Sequence, residues 1–119
     1  MENTKAQMRK GVLELCILAI LSERPAYPSD ILERLKAADL LVVEGTLYPM
    51  LTRLKDAGHL SYTWQESRSG PPRKYYALTE AGRHFLSELV QGWRSLVGSV
   101  EDCLVSVAVP PAPESPNEQ

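Results

Sequence analysis

Apolar residues at Phe85, Leu86, Leu89, Val90, Trp93, Leu96, Val97, Val100, Leu104 and Val107 recur at spacings of three and four for over 20 residues. Such an approximately heptad stripe predicts one helix that outruns a small domain and needs a partner helix along its outer part. A chain of 119 residues builds only one modest core, so the partner is expected to come from a second copy. The other end makes the same demand. From Met8 to about Ser22 the residues are helix formers, and the apolar set from Val12 to Leu21, broken only by Glu14, covers nearly the whole circumference; a helix of that kind is buried on several sides. The expected homodimer interface therefore takes Leu13, Ile17 and Ile20 from the first helix and Leu89, Trp93, Leu96, Val97, Val100 and Leu104 from the last.

Composition narrows the function. With 44% hydrophobic and 24% charged residues the chain reads as an ordinary globular protein, and no apolar run approaches the roughly 20 residues that span a bilayer. The polar start Met1-Glu2-Asn3-Thr4-Lys5 and the lack of a small-residue cleavage site predict a cytoplasmic protein with no membrane partner. Cys16 and Cys103 lack metal-ligand spacing and sit in apolar helical patterns, which predicts buried, reduced thiols. His59 and His84 stand apart from clustered carboxylates or thiols and are expected in ordinary surface roles. No metal site, cofactor or catalytic constellation can be assembled, so an enzyme is not expected. The net charge of -2 hides an uneven distribution: residues 1–94 carry all 13 Lys and Arg against 11 Asp and Glu, while residues 95–119 carry four acids and no base. Phosphate neutralisation acts over about a Debye length, so a local cationic surface suffices for a nucleic-acid partner.

Along the chain, Pro25 stops the first helix. Pro28 opens a second, with Asp30 in its first turn and Ile31, Leu32, Leu35 and Ala38 on one face. In a third helix, Leu47, Met50, Leu51, Leu54 and Ala57 repeat before Gly58; Thr46 as N-cap puts Pro49 in the tolerated first turn. Leu60, Tyr62 and Trp64 alternate with polar residues as a half-buried strand, and Arg73 to Leu78 form its antiparallel mate across a turn from Ser67 to Pro72. Thr79 caps the last helix. The resulting fold is mainly α with a small β-hairpin (α+β), divided into residues 1–78, a dimerisation helix over 79–108 and a Pro-rich disordered tail over 109–119.

Three helices, a hairpin and a long final helix match a winged helix-turn-helix with an added dimerisation helix. The face of the third helix opposite its leucines presents Tyr48, Pro49, Thr52, Arg53 and Asp56, with Thr46 at its start; Arg53 suits guanine edges or phosphates, Tyr48 and Thr52 phosphates or thymine methyls. Arg68, Arg73 and Lys74 fall within seven acid-free residues of the hairpin, where prolines lower the ordering entropy of meeting a phosphate backbone. A solvated helix face and a generic cationic turn are the alternative readings, and with them a winged helix serving as a protein-interaction adaptor that never meets DNA.

The strings Glu44-Gly45-Thr46-Leu47-Tyr48-Pro49, Arg53-Leu54 with Gly58, and Gly70-Pro71-Pro72-Arg73-Lys74-Tyr75-Tyr76-Ala77-Leu78-Thr79-Glu80-Ala81-Gly82 closely resemble the PadR-like regulators over about residues 8–105. The resemblance implies a third helix in the major groove, a wing on flanking phosphates, and a dimer of the last helix against the partner's first. Carried onto this chain, the implied contacts to double-stranded DNA are Thr46, Tyr48, Pro49, Arg53, Gly70, Arg73 and Lys74. Members are typically repressors, acting here on a roughly palindromic operator, and some are released by phenolic or drug-like ligands. In one drug-binding branch a tryptophan matching Trp93 stacks on planar ligands, which makes Trp93 the candidate contact for a small aromatic effector; interface core is the other reading. The chain departs from the family at Tyr27-Pro28, where Tyr-Gly is common.

Overall fold

The computed structural model describes residues 12–111, along which run α1 (Leu13–Glu23), α2 (Pro28–Ala37), α3 (Glu44–Asp56), β1 (Leu60–Ser67), β2 (Gly70–Leu78) and α4 (Glu80–Leu104). The architecture is a winged helix-turn-helix with a long C-terminal helix: α1 to α3 close round one core, and β1 and β2 pair antiparallel beside them. The start of the first helix expected from Met8 to Gly11 lies outside the described residues. Leu13, Ile17, Leu18 and Leu21 share the buried side of α1. The helix stops because Pro25 forces the residue before it out of the helical region, and Arg24 is fully extended.

The α2–α3 turn and the α3–β1 corner are closed by the same hydrogen-bond pair. At the end of α2, Asp39 N–H donates to the Lys36 carbonyl (3.0 Å) and Leu40 N–H to that of Leu35 (2.8 Å). At the end of α3, Gly58 N–H donates to Lys55 (3.0 Å) and His59 N–H to Leu54 (2.9 Å). This Schellman arrangement needs a left-handed residue at its corner. Gly58 supplies it at φ 85° and Asp39 at φ 60°, aspartate being one of the few side chains that tolerate that region.

Two local expectations are corrected. Thr46 is not the N-cap of α3: Val43 is, and its carbonyl already accepts from Thr46 N–H (3.0 Å) and Leu47 N–H (3.1 Å). Pro49 therefore lies inside the helix. An interior proline costs roughly 3 kcal/mol, but Leu47, Met50, Leu51 and Leu54 are all buried by this helix, at about 1.5–3 kcal/mol each, and burial wins. The turn of the hairpin is also shorter than expected. It is only Arg68-Ser69, and Pro71 and Pro72 belong to β2. Between the pairs Gln65↔Arg73 and Ser67↔Gly70, Glu66 faces both prolines, a bulge in which missing N–H groups break no ladder.

The segment between α1 and α2 ties the wing to the helices. Ala26 and Tyr76 exchange two backbone hydrogen bonds of 2.9 Å. Tyr76 N–H and C=O are thereby fixed to the strand-like stretch that leads directly into α2. At the other end of the hairpin Thr79 caps α4 as expected: its hydroxyl accepts from Gly82 N–H (2.9 Å) and donates to the Gly58 carbonyl (2.7 Å). Thr79→Ala is expected to lower the unfolding free energy by about 1 kcal/mol, typical of a lost cap, read as a lower urea midpoint at constant slope. Among the described residues, α4 meets the core through its first half alone, at Phe85, Leu86 and Leu89. The helix ends at Leu104 rather than near residue 108, with Val105 and Ser106 in a turn. Residues 109–111 have no regular structure, and the rest of the tail, 112–119, lies outside the described residues.

Candidate nucleic-acid interface

With its leucines turned into the core, α3 presents Gly45, Thr46, Tyr48, Pro49, Thr52 and Arg53 to solvent. Helical spacing divides them: Pro49 and Thr52 form the outermost ridge, Tyr48 lies on the flank towards the wing, and Thr46 and Arg53 lie on the flank towards α1. The wing flank is continued by Lys55, whose ammonium lies 5.8 Å from the centre of the Tyr62 ring. On the other flank Arg53 is engaged within the chain. Its Nη2 donates to Glu14 Oε1 at 2.9 Å.

In the wing, strand alternation sends neighbouring cations to opposite faces. Lys74 is paired with Trp64 across the hairpin; its Nζ is 4.5 Å from the Tyr62 ring centre and 5.5 Å from that of Trp64. Arg73 turns the other way and lies 3.9 Å above the ring of Tyr27, which itself meets Tyr75 at 4.7 Å. Both cations thus rest on aromatic faces, which orient them without neutralising their charge. Arg68 occupies the exposed turn at the tip and Gly70 opens β2 beside it.

A cleft of about 380 Å³ separates α3 from the wing, with Tyr48 and Thr52 on one wall, Arg73, Lys74 and Trp64 on the other, and Ser29 at the start of α2. The structure thus unites four of the expected DNA contacts. It does not bring in Pro49, on the outer ridge of α3, Thr46 and Arg53, on its far flank, nor Arg68 and Gly70, at the tip. Seven further lining residues were not among the expected contacts: Tyr27, Pro28, Ser29, Trp64, Pro72, Tyr76 and the acidic Glu44. Trp64 has the alternation of a strand residue on the buried side, yet it is 61% exposed, because the distal part of the hairpin projects beyond the core. Ser29 has no sequence signal beyond its place after Pro28. At the cleft floor, burial first and the neighbouring Tyr62 and Tyr48 second push the Tyr76 hydroxyl above its ordinary pKa, so it stays neutral.

The residues expected at a dimer interface fall into three groups. Leu13 and Ile17 are buried by their own chain, since the hairpin and α4 supply the cover attributed to a second copy; the burial argument for these two residues is therefore corrected. Ile20, Leu89 and Val97 are half-buried. Trp93, Leu96, Val100 and Leu104 remain 43–56% exposed along the distal half of α4. Cys16 is half-buried, its thiol pKa raised by burial, whereas Cys103 is exposed rather than buried. His59 is half-buried rather than freely on the surface: it stacks on Phe85 at 4.1 Å with Nδ1 enclosed and unpartnered. His84 lies 3.9 Å from Glu80 in the open. Among the described residues no group of three His, Cys, Asp or Glu can hold a metal ion, and no helix is long and apolar enough to cross a membrane.

Comparison with known proteins bears on this arrangement directly. Residues 17–88 match the family described as "Transcriptional regulator PadR-like family". Among solved structures, a PadR-like transcription factor of Bacteroides fragilis is 57% identical, covers 85% of this chain and 98% of its own, and superposes with a TM-score of 0.72. A PadR-family regulator of Eggerthella lenta is 31% identical over 90% of this chain and 93% of its own, with a TM-score of 0.81. A curated relative, an uncharacterised protein of Lysinibacillus sphaericus, is 28% identical over 92 residues, 75% of this chain and 84% of that one.

Proposed function

The chain belongs to the PadR-like family of transcriptional regulators, and from that premise we propose that it is a repressor acting as a homodimer on a roughly palindromic operator in the cytoplasm. Family membership makes it a DNA-binding regulator of transcription rather than an enzyme. The observation that carries the finer reading is the cleft that faces Tyr48 and Thr52 of α3 with Arg73 and Lys74 of the wing. A helix whose ridge carries only the compact side chains of Pro49 and Thr52, with Tyr48 beside them, suits the major groove, and a cationic hairpin alongside suits the phosphates that border it.

In this reading Tyr48, Pro49 and Thr52 meet base edges and the near backbone, Arg53 and Thr46 border the other side of the groove, and Arg68, Gly70, Arg73 and Lys74 follow the flanking phosphates. The distal stripe of α4 packs against a second copy and spaces two α3 helices about one DNA turn apart. A small aromatic effector would use the face of Trp93, 43% exposed on that stripe, and act by altering the spacing. The domain plan follows: residues 1–78 bind DNA and 79–108 assemble the dimer.

Fluorescence anisotropy with the duplex upstream of the protein's own coding region tests the reading against an adaptor that binds no DNA. Three cations per subunit on phosphates predict a slope on the order of -5 for log K against log salt in the dimer. Arg73→Ala with Lys74→Ala is expected to flatten that slope by about 4 and to weaken operator and random-sequence duplexes alike. Unchanged affinity removes the wing from the interface, and no binding by the unaltered protein to genomic fragments favours the adaptor.

A further inference from the structure

The side chain of Arg53 is 65% exposed and sits where α3 is expected to meet DNA, yet it is held by Glu14, 38% exposed, through a bond of 2.9 Å between Nη2 and Oε1. The two residues are 39 positions apart in sequence, so the contact is made by the tertiary fold and not by a helical turn. Its base is rigid, because Leu13, Ile17 and Leu18, which flank Glu14 on α1, are locked in the core. A guanidinium has five N–H donors in a planar fork, and only one is committed to the carboxylate in this contact; the exposed remainder points into solvent on the flank of α3.

We propose that Glu14 is a positioning residue for DNA recognition, holding the Arg53 guanidinium in one orientation and withholding its charge from indiscriminate phosphate contacts. The proposal rests on the reading of α3 as the DNA-facing helix. A free surface arginine is a mobile cation that gains a phosphate on any sequence, at the expense of a condensed counterion. An arginine braced by a carboxylate keeps a fixed fork, which is what bidentate recognition of a base edge requires, while the neighbouring negative charge reduces its pull on the backbone. Discrimination between sequences then improves by weakening the wrong complexes. Surface ion pairs of this kind contribute little to folding, so Glu14→Gln is expected to leave stability nearly unchanged while its effect is read on DNA binding.

A double-mutant cycle tests this. The full chain is compared with Glu14→Gln, Arg53→Ala and the combination, each titrated at several salt concentrations with its own upstream duplex and with a random-sequence duplex. Glu14→Gln is expected to tighten random-sequence binding about three- to tenfold at low salt and to steepen the salt slope by about one per subunit, narrowing the ratio between the two duplexes. In the Arg53→Ala background the same change is expected to do nothing. If Glu14→Gln is silent, or if its effect persists without Arg53 and so reflects only the loss of a negative charge near DNA, the proposal is overturned. Arg53→Ala that leaves both duplexes bound as before overturns instead the assignment of Arg53 to the interface, a separate result. Retained far-UV ellipticity in all three variants shows that the fold is constant across the cycle.

Discussion

Replacing Leu96 and Val100 together by glutamate is expected to hold the protein as a monomer and to lower its affinity for a two-half-site operator by about a thousandfold, the scale of effect lost when linked binding becomes independent. Both side chains are about half exposed in the single chain, at 56% and 46%, so the substitutions spare the core and leave the helices intact by far-UV circular dichroism. In the proposed dimer each would bury an unpaired carboxylate, at several kcal/mol, against an interface whose attraction is the burial of Trp93, Leu96, Val100 and Leu104. Sedimentation velocity reads the first consequence and anisotropy the second. A double variant that still sediments as a dimer would place the interface elsewhere on the chain.

The second large effect is on folding. Gly82→Ala is expected to destabilise the chain by about 3 kcal/mol, at the upper end of what overpacking costs, although alanine is the better helix former by about 1 kcal/mol. A Cβ at this position overlaps the carbonyl oxygen of His59 and falls 3.0 Å from its carbon. The obstacle is backbone, so no rotamer change relieves it. That same carbonyl accepts the Thr79 N–H at 3.1 Å, which pins the start of α4 to the α3–β1 corner; moving it away for a methyl group would loosen the joint between the winged helix-turn-helix and the long helix. Gly98→Ala, on the same helix with nothing within 4 Å, is the contrast, and the two urea midpoints should move in opposite directions.

Element order, the end of α3 at Gly58 and the cap at Thr79 were legible because each is decided locally, by periodicity or by one residue's conformational preference. The start of α3 was not. Local rules place a cap at Thr46 and keep Pro49 in the first turn, but four buried side chains on α3 carry more energy than one proline removes, and that balance exists only once the core has formed. The hairpin was misread for a related reason: Pro-Pro signals a loop in isolation, and only the two-for-one register opposite Glu66 makes it acceptable in a strand.

For the candidate site, residue chemistry singled out Tyr48, Thr52, Arg73 and Lys74, which the fold then places on one cleft, since exposed polar positions on a helix and a run of cations can be read off a line. What shares a cleft with them cannot. Ser29 reaches it through the fold of α2, and Arg53 meets Glu14 across a sequence separation that no spacing rule spans. The apolar circumference of α1 pointed to a partner subunit, yet the hairpin and α4 of the same chain already cover Leu13 and Ile17.

The two prolines of β2 also bear on how the protein behaves in a crowded cell. A lone hairpin is the part of any fold most open to strand addition, since its outer backbone groups lack neighbours and accept another extended chain. Here the base of β2 is occupied by Ala26, and farther out Pro71 and Pro72 have no N–H to offer. The β2 edge can therefore stay extended and solvent-facing without serving as a template for strand addition by other copies.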